Sequence, residues 1–143
     1  MNVLMLLRPK SKVEYLFENC TLRQALEKMK IHGYTAIPVL TKDGLYAGCV
    51  SEGDFLRYII ENTDASNLIK ELECHRIREI MDPDRISAVT VNVDMGQIIE
   101  RSKNQNFIPV TDDRGYFIGI VTRRSIIDAF CSVENITDSP KRA

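Results

Sequence analysis

Apolar positions along this chain switch between two spacings, and the switch happens twice. Leu22, Ala25, Leu26 and Met29 fall at i, i+3, i+4 and i+7, which places one apolar stripe on a helix. Thr21, just ahead, is a good N-cap, because its hydroxyl can accept a free backbone N–H of the first turn. A short β-rich run over 36–40 follows, then the turn-forming Thr41-Lys42-Asp43-Gly44, then a second strand ending at Ser51. Phe55, Leu56, Ile59 and Ile60 then form another helical stripe. The same order returns later. Asp94 stands as an N-cap before a helix-like segment, a strand runs over 107–110, and Asp112-Asp113-Arg114-Gly115 makes the turn. A strand ending at Thr122 and a stripe of Ile126, Ile127 and Phe130 complete the second half. Each half reads helix, strand, strand, helix.

The repetition holds its register. Ile37-Pro38-Val39, Gly44 and Gly48-Cys49-Val50-Ser51 are answered by Ile108-Pro109-Val110, Gly115 and Gly119-Ile120-Val121-Thr122, all at one offset (109 − 38 = 71, 122 − 51 = 71). The helical segments 21–29 and 94–102 match at a larger offset (94 − 21 = 73), so the second half is two residues shorter ahead of its strand. Further back, Leu6-Leu7-Arg8-Pro9 echoes Ile80-Met81-Asp82-Pro83. Three matches in one order mark a duplication, and a duplication dictates architecture before any motif does. A helix–strand–strand–helix unit covers only one face of its small sheet, so two units side by side can bury the apolar surface left over. The expected fold class is α+β, with small α/β-type repeats packed with pseudo-twofold symmetry. The first repeat with its N-terminal lead-in spans 1–66, a connecting segment, helical from about Ser66, spans 67–79, and the second repeat spans 80–132. The tail 133–143 lacks an apolar pattern and is expected to fray. Clefts between such repeats are common ligand sites.

Composition removes several function classes. With 143 residues, 44% hydrophobic and 27% charged, the chain can bury a core without a metal or disulfide. Its net charge is -1 and no basic block stands apart, so no nucleic-acid partner is expected, since that needs clustered Lys and Arg against phosphates. Cys20, Cys49, Cys74 and Cys131 are widely spaced, and His32 and His75 are the only histidines. No group has zinc-ligand spacing, so no metal site is expected, and the cysteines read as small hydrophobes in a reducing compartment. The apolar run near the N-terminus is too short for a signal-peptide core or a membrane span, so a cytoplasmic protein without membrane contact is expected. No P-loop and no nucleophile–base arrangement is present, and Asp112-Asp113 reads as a solvated turn. No catalytic residue is assigned and no enzyme activity is expected.

The ordered duplication resembles the cystathionine β-synthase-type (CBS) domain pair over roughly residues 8–132. The features that carry the resemblance are Ile80-Met81-Asp82-Pro83, the hydrophobic-Pro-Val strands, and a strand ending in Gly-h-h-Ser/Thr-x-x-Asp. That last motif is complete in the first repeat, Gly48-Cys49-Val50-Ser51-Glu52-Gly53-Asp54, whereas the second has Ser125 where the aspartate would stand. The resemblance implies a regulatory module, commonly a disc-like dimer, that binds AMP, ADP, ATP or another adenosyl ligand in the clefts between repeats. No cofactor is required; the nucleotide is a regulatory ligand.

Elementary chemistry suits Ser51 and Asp54 to that task. A carboxylate at Asp54 can accept two hydrogen bonds from the vicinal hydroxyls of a ribose. Ser51 stands where a strand gives way to a helix, and a helix N-terminus offers free N–H groups to a phosphate. Ser51-x-x-Asp54 is equally a helix-capping pattern, and the two roles are compatible. The family places adenine against residues entering the first strand, here Tyr34, Thr35, Ala36 and Pro38, with Phe107 and Ile108 of the facing repeat helping to close the cleft. In the second repeat Thr122 stands opposite Ser51, and Arg123 and Arg124 are candidates for phosphate contact. Cations at a helix start oppose its dipole, which hints at an anion nearby. Ser125 offers no bidentate anionic acceptor, so one competent site in the first repeat and one degenerate site in the second are expected. Two readings follow. One is a nucleotide sensor, a homodimer that signals to an unidentified protein partner through its conformation or dimer packing. The alternative is a constitutive dimerisation or interaction module whose ligand site has decayed.

Overall fold

The computed structural model describes residues 2–62 and 65–137. In chain order it contains α1 (Val3–Leu6), β1 (Arg8–Pro9), β2 (Leu16–Phe17), α2 (Leu22–His32), β3 (Ala36–Leu40), β4 (Tyr46–Ser51) and α3 (Glu52–Asn62). Then come α4 (Leu68–Cys74), β5 (Val89–Thr90), α5 (Met95–Ser102), β6 (Phe107–Thr111), β7 (Phe117–Thr122) and α6 (Arg123–Thr137). Short 3-10 turns lie at Lys10–Lys12, Ala65–Asn67 and Ile77–Glu79. The fold is α+β and carries the helix–strand–strand–helix order twice, as α2-β3-β4-α3 and α5-β6-β7-α6. The connecting segment is helical over α4 and closes with the 3-10 turn. Backbone of the C-terminal tail is helical to Thr137, and 138–143 lie outside the described residues.

The chain divides into two compact units. Among the described residues, one comprises 14–62, 65–87 and Gly115–Phe117; the other comprises 2–13, 88–114 and 118–137. In the first-named unit the sheet order is β2-β3-β4, with β2 parallel and β4 antiparallel to β3. Its core gathers Leu16, Leu22, Ala25, Met29, Ile37, Val39, Val50, Phe55, Leu72 and Ile77. The α2 stripe is therefore the buried one, as its spacing requires. Thr21 caps α2 with a full capping box, its hydroxyl accepting from the Gln24 amide while the Gln24 side-chain oxygen accepts from the Thr21 amide. Gly33 ends the helix in the left-handed conformation, at φ 68°.

In the other unit the order is β1-β7-β6-β5, with β1 antiparallel to β7 and β5 parallel to β6. Val3, Leu6, Val89, Ile98, Ile108, Val110, Val121 and Ile126 form its core. Asp94 occupies the N-cap position of α5, but its side chain makes no capping bond. Its carboxylate lies over Gly96 instead, 2.9 Å from where a Cβ would stand.

Candidate functional site: two strand–helix corners

Each repeat brings its Ser/Thr-x-x-Asp/Ser pattern to the point where a strand turns into a helix. In the first repeat β4 ends at Ser51 and α3 begins at Glu52. Ser51 pairs with Ala36 across the sheet, and the Glu52 amide donates to the Thr35 carbonyl at 2.9 Å. The start of β3 is thereby fixed beside the start of α3. Pro38 lies farther along β3, opposite Cys49, and Tyr34 precedes the strand with its ring stacked on His32 at 5.6 Å.

Asp54 is buried at 2% exposure. Its Oδ2 accepts from the Ser51 amide at 2.8 Å, from the Ser51 hydroxyl at 3.2 Å and from Arg85 Nη1 at 2.8 Å. Its Oδ1 accepts from Arg57 Nη1 at 3.3 Å and from Arg85 Nη2. Arg85 Nη1 also donates to the Ser51 hydroxyl at 3.0 Å. Burial by itself pushes the Asp54 carboxyl up, but the bonds from Arg85 and Ser51 outweigh it and hold the group below its ordinary value. The hydrogen bond to Asp54 pushes the Arg85 guanidinium up in turn. Cys49, two pairs along from Ser51, is driven up to about 12, chiefly by burial, so its thiol stays neutral.

Thr122 and Ser125 make the corresponding corner at the junction of β7 and α6. The Thr122 amide donates to the Ser125 hydroxyl and the Ser125 amide to the Thr122 hydroxyl, both at 3.0 Å. Reciprocal bonding of this kind satisfies two donors that a helix start leaves open. The corner opens on a cavity of about 440 Å³ whose polar lining includes Arg8, Thr122, Arg124, Ser125 and Asp128, a size within the usual range for small-molecule pockets. Arg124 stands 3.5 Å from Asp128, one helical turn on, and both side chains are well exposed.

Arg123 is committed elsewhere. Its guanidinium donates to the carbonyls of Ser102 and Lys103 at the end of α5, at 2.7 and 3.2 Å, and to the Asn106 side chain at 2.9 Å. A cation at this helix start therefore has a structural reason: it closes the C-terminal end of another helix, where the dipole favours positive charge. Phe107 and Ile108 are the buried first residues of β6. The structure thus gathers Thr35, Ala36, Ser51 and Asp54 in one unit, and Thr122, Arg124 and Ser125 in the other.

Two functional candidates escaped the sequence reading, Arg85 and Arg8. Arg85 lies 31 residues from Asp54, beyond any helical or strand periodicity. The duplicated Leu6-to-Pro9 and Ile80-to-Pro83 segments carried the available signal. Cys49 bridges Asp82, and its counterpart Ile120 pairs with Arg8, so both segments run beside the strand that ends at a corner.

Among the described residues no group of three or more His, Cys, Asp or Glu is placed to hold a metal ion. Nor is any helix among them long and apolar enough to cross a membrane.

The family model of the CBS domain matches residues 6–61 and again 77–132. A protein of Methanocaldococcus jannaschii is 27% identical over 142 residues, covering 80% of this chain and 83% of that one. Among solved structures, CbpB in complex with c-di-AMP superposes with a TM-score of 0.87 at 23% identity, covering 98% of this chain and 91% of that one. CBSX2 in complex with AMP superposes with a TM-score of 0.73 at 21% identity, covering 93% and 98%. At such identities these two likenesses establish the fold.

Proposed function

The chain belongs to the CBS domain family, and on that premise we propose that it is a regulatory module that binds an adenosine-containing nucleotide at its strand–helix corners. It performs no chemistry on the ligand. It signals through a change of conformation or of homodimer packing that a protein partner reads. The observation that carries this reading is the corner itself, built twice at a helix start, with a buried carboxylate in one copy and an open cavity beside two arginines in the other. Hydroxyl and N–H donors at a helix start suit phosphate, and a carboxylate suits a ribose diol. Structural neighbours that hold AMP or c-di-AMP support the ligand class. A ligand moves such a module only by binding one state more tightly than the other.

A thermal-shift screen of the purified protein against AMP, ADP, ATP, S-adenosylmethionine, NAD and c-di-AMP tests the reading. A ligand that binds only the folded state stabilises it by about 2.7 kcal/mol at a hundredfold excess over Kd. A saturable rise with one adenosine ligand is expected. No shift with any of them overturns the sensor reading and favours the constitutive interaction module. That second reading has its own support in the apolar side chains exposed on two helices, Leu56 and Ile60 on α3 and Ile127 and Phe130 on α6.

A further inference from the structure

A carboxylate offers about four lone-pair positions to donors. Asp54 already faces five donor groups: the Ser51 amide and hydroxyl, Arg57 Nη1, and both terminal nitrogens of Arg85. The Ser51 hydroxyl is engaged in the same network, donating to Asp54 while accepting from Arg85. No room is left on Asp54 for the two O–H donors of a ribose. The Arg85 fork presents two adjacent donors to the two oxygens of Asp54, the same bidentate pattern a vicinal diol would use. The first corner is occupied by the chain's own guanidinium.

The duplication supplies an internal control. At the offset of the flanking segments (83 − 9 = 74), Arg85 corresponds to Ser11 and Asp82 to Arg8. The corner with an aspartate thus has an arginine to match it, and the corner with Ser125 has a serine at both positions. The charge and its occupant come and go together, as they would if Arg85 were there for Asp54. Arg85 also has somewhere to go. Its side chain is about a third exposed, and its Nε stands 3.9 Å from the exposed carboxylate of Asp82.

We propose that Arg85 is an internal competitor at the first corner, a latch that a ligand must displace from Asp54, and that it thereby sets the ligand class this corner accepts. The inference rests on the nucleotide-sensor reading. Taking one partner out of a buried ion pair is costly because the other is left uncompensated. A ligand that offers adjacent hydroxyls to Asp54 and an anion to the displaced guanidinium exchanges both partners at once. A ribonucleoside 5′-phosphate meets that requirement. Adenosine supplies only the diol, and a 3′,5′-linked cyclic dinucleotide lacks a free vicinal diol.

Calorimetric titration of the full chain with AMP and with adenosine, in the wild type, Arg85→Gln and Arg85→Gln/Asp54→Asn, tests this. Arg85→Gln is expected to strengthen adenosine binding at least tenfold and to shrink the preference for AMP over adenosine. The added Asp54→Asn is expected to remove that gain. Adenosine affinity that is unchanged or weaker in Arg85→Gln overturns the latch. Should the variant fail to fold, side-chain nitrogen NMR of the wild type decides. The Arg85 guanidinium signals are expected to shift on saturation with AMP, as the guanidinium exchanges a carboxylate for a phosphate, and signals unchanged by bound AMP overturn the latch. The two failures read differently: a wild type that binds no nucleotide overturns the sensor, whereas nucleotide binding indifferent to Arg85 overturns only the latch.

Discussion

At the first corner the acceptor is a buried charge, held by two arginines and the Ser51 amide. At the second it is a pair of hydroxyls that satisfy each other beside a cavity. Both descend from one repeated pattern, and both start a helix after the same kind of strand. The difference of one side chain, Asp54 against Ser125, propagates outward. A buried carboxylate requires a cation, and the fold supplies one from the segment after Pro83. A hydroxyl requires none, and there the arginines Arg8 and Arg124 line open space. A duplicated scaffold can thus carry one corner that is self-occupied and one that opens on a cavity.

The close approach of the lead-in segment to each strand gives the largest effect expected to test this comparison. A Cβ at Gly119 would stand 2.2 Å from the Arg8 carbonyl oxygen, and one at Gly48 would stand 2.9 Å from the Pro83 Cα, with φ of 155° and 151°. Both contacts are with backbone, which cannot rotate away. Gly119→Ala is expected to cost about 4 kcal/mol and Gly48→Ala about 2 kcal/mol, from overpacking and strain together. Urea unfolding measures both, and an inverted order would show that the closeness of the backbone contact does not set the cost.

Next in size is removal of each acceptor. Asp54→Ala leaves Arg85 without its buried partner and is expected to cost about 3 kcal/mol, at the low end for a broken buried pair because Arg85 reaches water. Ser125→Ala loses a neutral cap and is expected to cost about 1 kcal/mol. Equal losses in chemical denaturation would mean that the charge at Asp54 contributes nothing beyond capping.

The adjacent arginines of the second corner separate structure from binding. Arg123→Ala strips the α5 end of its donor and is expected to lower stability by about 1–2 kcal/mol without changing nucleotide affinity. Arg124→Ala is expected to leave stability within about 0.5 kcal/mol, as for exposed ion pairs, while weakening nucleotide binding at that corner. Paired thermal and calorimetric measurements on the two variants read this directly.

The smallest effect is the pH response. The Asp54 carboxyl is lower in the folded state than its ordinary value of about 3.9. The stability it contributes is therefore fully present above that value and is lost as pH falls through the folded pKa. Acid unfolding of Asp54→Asn is expected to be flatter than wild type below about pH 4, and Ser125→Ala is expected to follow the wild-type slope. Identical slopes in all three would remove Asp54 from the acid response.

The elements were legible because they depend on near neighbours. Thr21 and Gln24 sit three residues apart, and the capping box they form follows from that spacing. The apolar faces were legible only in part. Phe55 and Ile126 are buried, whereas Leu56, Ile60, Ile127 and Phe130 are exposed on the same helices. Periodicity shows that a stripe exists but not how much of it the core covers. The corner residues were found through the repeat and the family resemblance. Their occupant was not, since nothing in local sequence links positions 54 and 85. Arg123 shows the same limit: its opposition to one helix dipole was visible, while its bonds at the end of α5 required knowing where α5 ends in space.

The sequence by itself determined the duplication, the order of elements within each repeat, the family and the residues at each corner, because these rest on spacings of a few residues and on one repeated register. Only the tertiary structure decided which charges meet. Arg85 and Asp54, or Arg123 and the α5 carbonyls, lie far apart along the chain and pair because the path of the backbone delivers them to one place, where a buried carboxylate or an open helix end must find a partner.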